Sequence, residues 1–304
     1  MTWPNGIFNG LQLAGRGRDL LTDELGAPHV IAQEEILATA SMDRTIESLR
    51  SWPPTDGLEG LVGARAGGKL RGALDEAVPH LREAGLPRYL LLDDLAGASL
   101  IAGFVWFRWK DHLPELAGLR ERAQTRSMEG ICSGFRPGAS SLNADGTQSM
   151  VPHQIAVVAP LADPEDEWSW HELSVPPPMA MRRARRVDVW RDGGEFVIDA
   201  MFRDSCWEPD GTEVAVHEYH LDAAADALSG AVVEIEAQPR VLPFDECPLA
   251  APNVHRLEGV SLRELRREVL ERIQFVDCCT HLNDALRSLA EVPILARALS
   301  EPPT

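Results

Sequence analysis

The chain has 304 residues, of which 44% are hydrophobic and 25% are charged, and its formal net charge is −18 at pH 7. This composition is typical of a globular protein with a full-sized core, and it excludes the disordered and fibrous classes. The negative charge would repel a phosphate backbone, so nucleic acid is not expected as a partner.

The cysteine content and the N-terminal residues bear on location. Five cysteines are too few for a disulfide framework, and an odd number leaves at least one thiol unpaired. The first residues lack the basic region and apolar run of a signal peptide. The most apolar stretch, Leu95 to Phe107, is shorter than the roughly 20 residues that a membrane span needs. We therefore expect a soluble cytoplasmic protein without a membrane partner.

Residues 1–107 follow an order of features that recurs in residues 186–304. The matching features are Trp3 and Trp190, Leu11 to Leu13 and Phe196 to Ile198, Arg18-Asp19 and Arg203-Asp204, Leu-Glu-Gly at 58–60 and at 257–259, and the helical stretches from Tyr89 and from Thr280. Between them each copy has two apolar-alternating runs, which are typical of strands in a meander. The sequence predicts an α+β fold built by tandem duplication of a β-meander with a helical layer, with pseudo-twofold symmetry.

The connector, residues 108–185, joins the two copies. One helix is predicted at roughly Pro114 to Arg126, followed by a loop rich in glycine, serine and asparagine. Long loops without regular structure are commonly functional or disordered. The apolar and aromatic side chains of this loop favour an ordered one, with residues 132–142 packed against the second copy.

Reactive side chains are concentrated in the second copy, and the chain has none of the standard motifs for phosphate or dinucleotide binding, so no nucleotide cofactor is expected. Cys278 to His281 stands at a predicted helix start, where the helix dipole lowers the pKa of a thiol. Cys247 and His217 are expected to reach the same point. The sequence predicts two overlapping sets: the catalytic residues Cys279, His281, His217 and Asp204, and the metal ligands Cys247, Cys279 and His281, which suit zinc or iron.

Each of these residues also has a simpler interpretation, because single cysteines usually pack as small hydrophobic residues. Outside the cluster, Arg203, Cys132 and His171 are candidates for substrate binding. The run Arg182 to Arg186 carries guanidinium groups that suit a carboxylate, although such a run more often pairs with an acidic surface.

With these elements, the chain resembles a bacterial family known as domain of unknown function 2889. The similar segments are ECPLAAPNVHRLEG with CTHLNDAL, ICSGFRPGASSL and MRRARRVDVW, of which CTHL is the most specific. The resemblance implies a protein of bacteria that degrade aromatic, terpenoid or steroid-like compounds, and therefore a catabolic enzyme.

The second copy is also similar to U-type scaffold proteins for iron–sulfur cluster assembly. Cys247, Gly259 to Leu262 and Cys279 follow one another in the order found there, and Cys206 lies near the place of the first scaffold cysteine. Cys278 stands where those proteins often have histidine, and the duplication is foreign to them.

Three functions fit the sequence. The first is a lyase, hydratase or isomerase acting on a small apolar or aromatic, carboxylic substrate between the second copy and the connector. The second is a metal or iron–sulfur protein without turnover, with Cys206, Cys247 and Cys279 as ligands. The third is a small-molecule binding module whose cysteines only pack. The sequence leaves open whether the chain forms a homodimer.

Overall fold

A computed structural model describes residues 1–116, 127–149 and 153–300 of the chain. Within these residues, one antiparallel sheet has three strands and a second has five. A helical layer follows each sheet along the chain. The protein is therefore α+β, as the sequence predicts.

The first sheet contains β1 (Leu11–Thr22), β2 (Pro28–Ala40) and β3 (Ile46–Trp52), in that spatial order. Helices α1 (Leu70–Ala77), α2 (Pro79–Ala84), α3 (Pro87–Ile101) and α4 (Phe104–Trp109) follow. Two glycines of β1 let α3 pack closely on the sheet. A Cβ atom at Gly15 would lie 3.3 Å from the Leu91 side chain, and one at Gly17 would lie 3.0 Å from Pro87.

The second sheet contains the short β4 (Ala156–Val157), β5 (Met181–Asp192), β6 (Glu195–Trp207), β7 (Glu213–Asp226) and β8 (Val232–Val241). Strands β5 to β8 form a meander, and β4 pairs with the start of β7. A 3-10 segment (Cys247–Leu257) and helices α5 (Leu265–Arg272), α6 (Thr280–Ser288) and α7 (Val292–Ala298) cover it. The structure thus begins β5 at Met181, ahead of the predicted boundary at residue 186.

The strand registers of the two sheets agree closely. In the first sheet Leu11 pairs with Ala40, Asp19 with Ala32, and Ile46 with Ala40. The equivalent pairs of the second sheet are Phe196 with Ala225, Asp204 with His217, and Val232 with Ala225. Both sheets also have irregularities at matching places, after Asp19 and Asp204 and after Thr39 and Ala224. Because β-bulges are usually retained within related folds, this agreement is what a duplication would leave. The duplication itself stays a prediction.

Two of the expected matches differ in the structure. The Gly63 N–H donates to Ile46 as that of Gly259 does to Val232, and both glycines have positive φ, so Gly63 and not Gly60 corresponds to Gly259. Thr2 bridges Gln12 in the place where Trp190 pairs with Val197. Thr2 therefore occupies the position equivalent to Trp190, and Trp3 is the next residue. Trp3 faces the core, whereas Trp190 is 47% exposed.

The connector is described in part. Pro114–Leu116 forms a 3-10 turn, and the rest of the helix predicted to Arg126 lies outside the described residues. The Ser133 N–H donates to the Cys278 carbonyl at 2.7 Å, and the rings of Phe135 and Phe244 are 5.5 Å apart. The prediction that residues 132–142 pack against the second half is therefore confirmed for the start of this segment.

One stretch, Pro87–Trp109, is long and apolar enough to cross a membrane by length and composition alone. In the structure it forms α3 and α4, and half of its most apolar window is buried inside the fold. The core helices of soluble proteins pass the same test. The absence of a membrane partner stays a prediction.

A buried network of ion pairs joins the two halves of the chain. The Arg183 guanidinium of β5 donates to Asp204 at 2.9 and 3.0 Å and to Asp284 of α6 at 2.9 Å. It also lies 3.4 Å from Asp94 of α3. Burial alone would lower the pKa of Arg183, yet these carboxylates raise it above its ordinary value. The arginine therefore stays charged inside the protein and holds α3 and α6 on β5.

We predict that Gly97→Ala destabilises the protein by about 3 kcal/mol, the lower range for breaking a buried ion pair. A Cβ atom at Gly97 would lie 2.0 Å from Arg183 Nη1 and 2.5 Å from Asp284 Oδ2, and the guanidinium cannot retreat without losing its carboxylates. Gly72→Ala in α1 is the matched control, because nothing lies within 4 Å of its Cβ position. It should stabilise by about 1 kcal/mol through helix propensity. Urea unfolding of both variants measures the difference; equal effects would contradict the prediction.

Candidate metal centre

Three buried side chains converge on the inner face of the second sheet. Asp204 of β6 stands opposite His217 of β7, and His281 enters from the first turn of α6. The carboxylate Oδ2 of Asp204 lies 4.0 Å from His217 Nδ1 and 3.6 Å from His281 Nε2. The two imidazole rings are stacked, with centroids 3.6 Å apart. We call these three residues the Asp–His–His cluster.

The two ring nitrogens that face Asp204 have no hydrogen-bond partner among the described residues. The distances to the carboxylate exceed those of ordinary hydrogen bonds, which end near about 3.2 Å. Buried polar atoms without a partner are rare in folded proteins, and an ion is one common reason for them. Two such nitrogens beside one carboxylate oxygen make this place the candidate site for an ion.

Both imidazoles are neutral near pH 7. Burial lowers the pKa of His217 well below its usual value, and the neighbouring His281 adds to this shift. Burial together with the positive charge of Arg183 lowers the pKa of His281 to about 3. A neutral imidazole has a free lone pair, which is the form that binds a metal ion.

The surrounding residues orient the cluster. Arg183 holds both oxygens of Asp204 in a two-point contact. The other ring nitrogen of His281, Nδ1, lies 3.4 Å from Thr280 Oγ1 and 3.8 Å from the Cys279 sulfur. Ligands of metal sites commonly have such second contacts, which set the tautomer of a histidine and the direction of a carboxylate.

The ligand geometry is close to that of a metal site without reproducing it. With metal–ligand bonds of about 2.0–2.1 Å, the edges of a tetrahedron measure about 3.4 Å. The separations of 3.6 and 4.0 Å around Asp204 are a few tenths of an ångström longer. The stacked rings must also tilt, because a metal ion lies in the plane of each imidazole. Both rings would have to rotate out of their stacked arrangement before their lone pairs point at one ion.

The predicted metal ligands are only partly brought together. Cys279 is close to His281, but the ligand atoms of Cys247, Cys279 and His281 do not all lie within the 4.8 Å that unites the Asp–His–His cluster. The Cys247 sulfur lies 2.6 Å from the Cβ position of Gly134, and Cys247 is near enough to Cys279 for that thiol to raise its pKa. Of the predicted catalytic residues, Asp204, His217, His281 and Cys279 do lie together.

The cysteines proposed for an iron–sulfur cluster are separated. Cys206 packs in the apolar core of the first sheet, whereas Cys247 and Cys279 pack in the core of the second. The three therefore do not form one ligand set in this structure. Similarity to the cluster scaffolds stays a sequence observation.

Cys279 was expected to form a thiolate, and its surroundings do not favour one. It does stand at the start of α6, as predicted. Full burial nevertheless raises the pKa of its thiol, against a smaller opposite effect from the Tyr219 hydroxyl. The dipole of a nine-residue helix does not compensate for the loss of hydration.

The predicted substrate-binding residues have three separate positions. Arg203 faces away from Asp204, pairs with Glu218 at 2.7 Å and donates to the Ala159 carbonyl. Cys132 packs against the core of the second sheet, and His171 lines a groove between the two sheets. Arg183 and Arg185 of the basic run hold Asp94, Asp204 and Asp284 of the protein itself.

Tyr219 was missed by the sequence reasoning. It is fully buried beside Cys279. Its register partner on β6 is Phe202, two residues before Asp204. The alternation of His217 and Tyr219 along β7 was the available signal, because residues two apart face the same side of a sheet. Arg183 was noted only as part of a basic run.

Residues 181–295 match a family model described as "Protein of unknown function (DUF2889)". Over these residues the chain is similar to that family. The matched stretch extends from β5 into α7, so it contains the whole Asp–His–His cluster and Cys279. The resemblance seen in the sequence is confirmed for this part of the chain. No curated protein and no solved structure matches the chain.

We predict that no thiol of the native protein reacts fast with Ellman's reagent. Cys132 is partly exposed and the other four cysteines are buried, so Cys132 should react first. It should still be slow, because burial raises the pKa of its thiol to about 11. Cys132→Ser should remove this phase, leaving thiols that react only after denaturation. Fast labelling of Cys279, located by mass spectrometry, would contradict this prediction and support the thiolate that the sequence predicts.

Proposed function

We propose that the protein binds one zinc or iron(II) ion through Asp204, His217 and His281, and that this ion serves a lyase, hydratase or isomerase activity. The observation that carries the proposal is the pair of unpartnered, buried ring nitrogens facing one carboxylate oxygen. Two neutral histidines and a carboxylate form a ligand set common to mononuclear zinc and non-haem iron enzymes.

The number of ligands favours catalysis over a structural role. Structural zinc sites usually have four protein ligands, whereas catalytic sites have three and leave a position for water or substrate. An ion held here would polarise a bound oxygen or lower the pKa of a bound water. Cys279 lies beside His281, and Tyr219 lies beside Cys279, so both are neutral proton donors close to the cluster. Such chemistry needs no nucleotide cofactor.

Metal content tests the ligand set. Protein purified without a histidine tag is expected to contain about one zinc or iron per chain by elemental analysis. His217→Gln, His281→Gln and Asp204→Asn should each lower the metal content by more than about tenfold. Even the loss of a residue that only hydrogen-bonds to a metal ligand costs about 10–100-fold in metal affinity.

His220→Gln is the matched control for these variants. His220 lies on the same strand as His217, beside Asp199 and Asp222, in a cluster that is only partly buried. This variant should keep its metal. Full metal content in the His217 and His281 variants would reject the proposal, as would loss of metal only in the His220 variant. Far-ultraviolet circular dichroism shows whether each variant is folded.

The second candidate function is metal binding without turnover. It is favoured by the enclosure of the cluster: Asp204, His217 and His281 are each less than a tenth exposed, and none of them lines the large groove of the protein. A site that no substrate reaches would be structural.

Cobalt substitution separates the two candidates. If a coordination position is open, azide should bind to the cobalt(II) protein and change its visible absorption spectrum. An unchanged spectrum at saturating azide would favour metal binding without turnover. The cytoplasmic location, the catabolic role and a homodimer remain proposals from the sequence.

A further inference from the structure

A groove of about 1120 Å³ lies between the edge strands of the two sheets, β1 and β5. Connector residues 166–174 form one of its walls. Arginines from both strands hold this wall by its backbone carbonyls: Arg18 donates to Trp168, Arg16 to Glu172 and Arg186 to Ser169. The groove is therefore built from both halves and from the connector.

Aromatic side chains line this groove. Four of the eight tryptophans do so, namely Trp52, Trp168, Trp170 and Trp190. Trp52 and Trp190 are each 47% exposed and Trp168 is 39% exposed. Exposed aromatic residues gathered on one concave surface commonly mark a ligand site.

Arg18 places a cation among these rings. Its guanidinium lies 5.7 Å from the centre of the Trp168 ring. It forms no ion pair with a carboxylate among the described residues, whereas Arg16 pairs with Glu35 at 2.8 Å and Arg186 with Asp188 at 2.6 Å. Asp166 does not pair with Arg18, but its negative charge is near enough to raise the pKa of Arg18.

Asp19 lies next to Arg18 and also lines the groove. It has no ion pair among the described residues, although the same position in the second sheet is Asp204, which Arg183 holds. Burial, with the charges of Glu291 and Glu34, raises the pKa of Asp19 to about 7. A carboxyl that is partly protonated near neutral pH is able to donate a hydrogen bond to an oxygen atom in the groove.

We propose that this groove binds an aromatic carboxylate, with its rings against the tryptophans and its carboxylate on Arg18. The volume is slightly above the usual range of small-molecule sites, which leaves room for a ligand with more than one ring, and Arg18 provides the charge that a carboxylate needs. The Asp–His–His cluster does not line the groove, so this proposal stands without the metal centre.

Isothermal titration calorimetry with naphthalene-2-carboxylate and naphthalene-2-carboxamide tests the proposal. The carboxylate should bind with one ligand per chain and about tenfold more tightly than the amide, since a hydrogen bond to a charged group is worth at least about 1.5 kcal/mol and tenfold corresponds to about 1.4 kcal/mol. Binding of neither compound at millimolar concentration overturns the proposal. Equal affinities of the two compounds do so as well.

Variants assign the contacts. Arg18→Gln should abolish the preference for the carboxylate, whereas Arg16→Gln, on the same strand and already paired with Glu35, should keep it. Trp168→Leu should weaken both ligands about fivefold, within the range for one aromatic contact. A preference that survives Arg18→Gln, or affinities unchanged by Trp168→Leu, overturns the assignment. Light scattering shows whether the protein is a dimer. A dimer that dissociates in the Trp168→Leu variant would make the groove an interface between chains, and this result would also overturn the proposal.

Discussion

The fold depends on one buried cation, the guanidinium of Arg183. It is buried and surrounded by carboxylates from three elements: Asp94 of α3, Asp204 of β6 and Asp284 of α6. A buried charge of this kind is costly unless every partner is in place, so the positions of α3, α6 and β6 are coupled. Gly97 is part of the same constraint, because only a residue without Cβ leaves room for the guanidinium.

The same arginine connects the two sites proposed for the protein. On one side its contacts turn the Asp204 carboxylate towards His217 and His281. On the other side Arg183 lines the groove between β1 and β5. The metal centre and the groove are therefore separated by one side chain and not by a layer of core.

Some errors of the sequence reasoning have a common cause. Gly60 was matched to Gly259 because the letters Leu-Glu-Gly agree, whereas the hydrogen bonds require Gly63, which has the positive φ. Cys279 was correctly placed at a helix start, and its thiol was expected to be acidic; full burial has the larger effect and acts in the opposite direction. Letters and local position do not reveal which backbone groups pair or how much water remains around a side chain.

The sequence alone determined the α+β class, the two meanders, Asp204, His217, His281 and Cys279 as candidate residues, and the resemblance of residues 181–295 to their family. These follow from short-range periodicity and from residues near one another along neighbouring strands and the next helix. Only the tertiary structure decided that Cys206 packs in the core of the first sheet, that Arg183 binds Asp204, and that β1 and β5 enclose a groove. These contacts join segments distant in the chain, and their strength depends on burial, which no local pattern specifies.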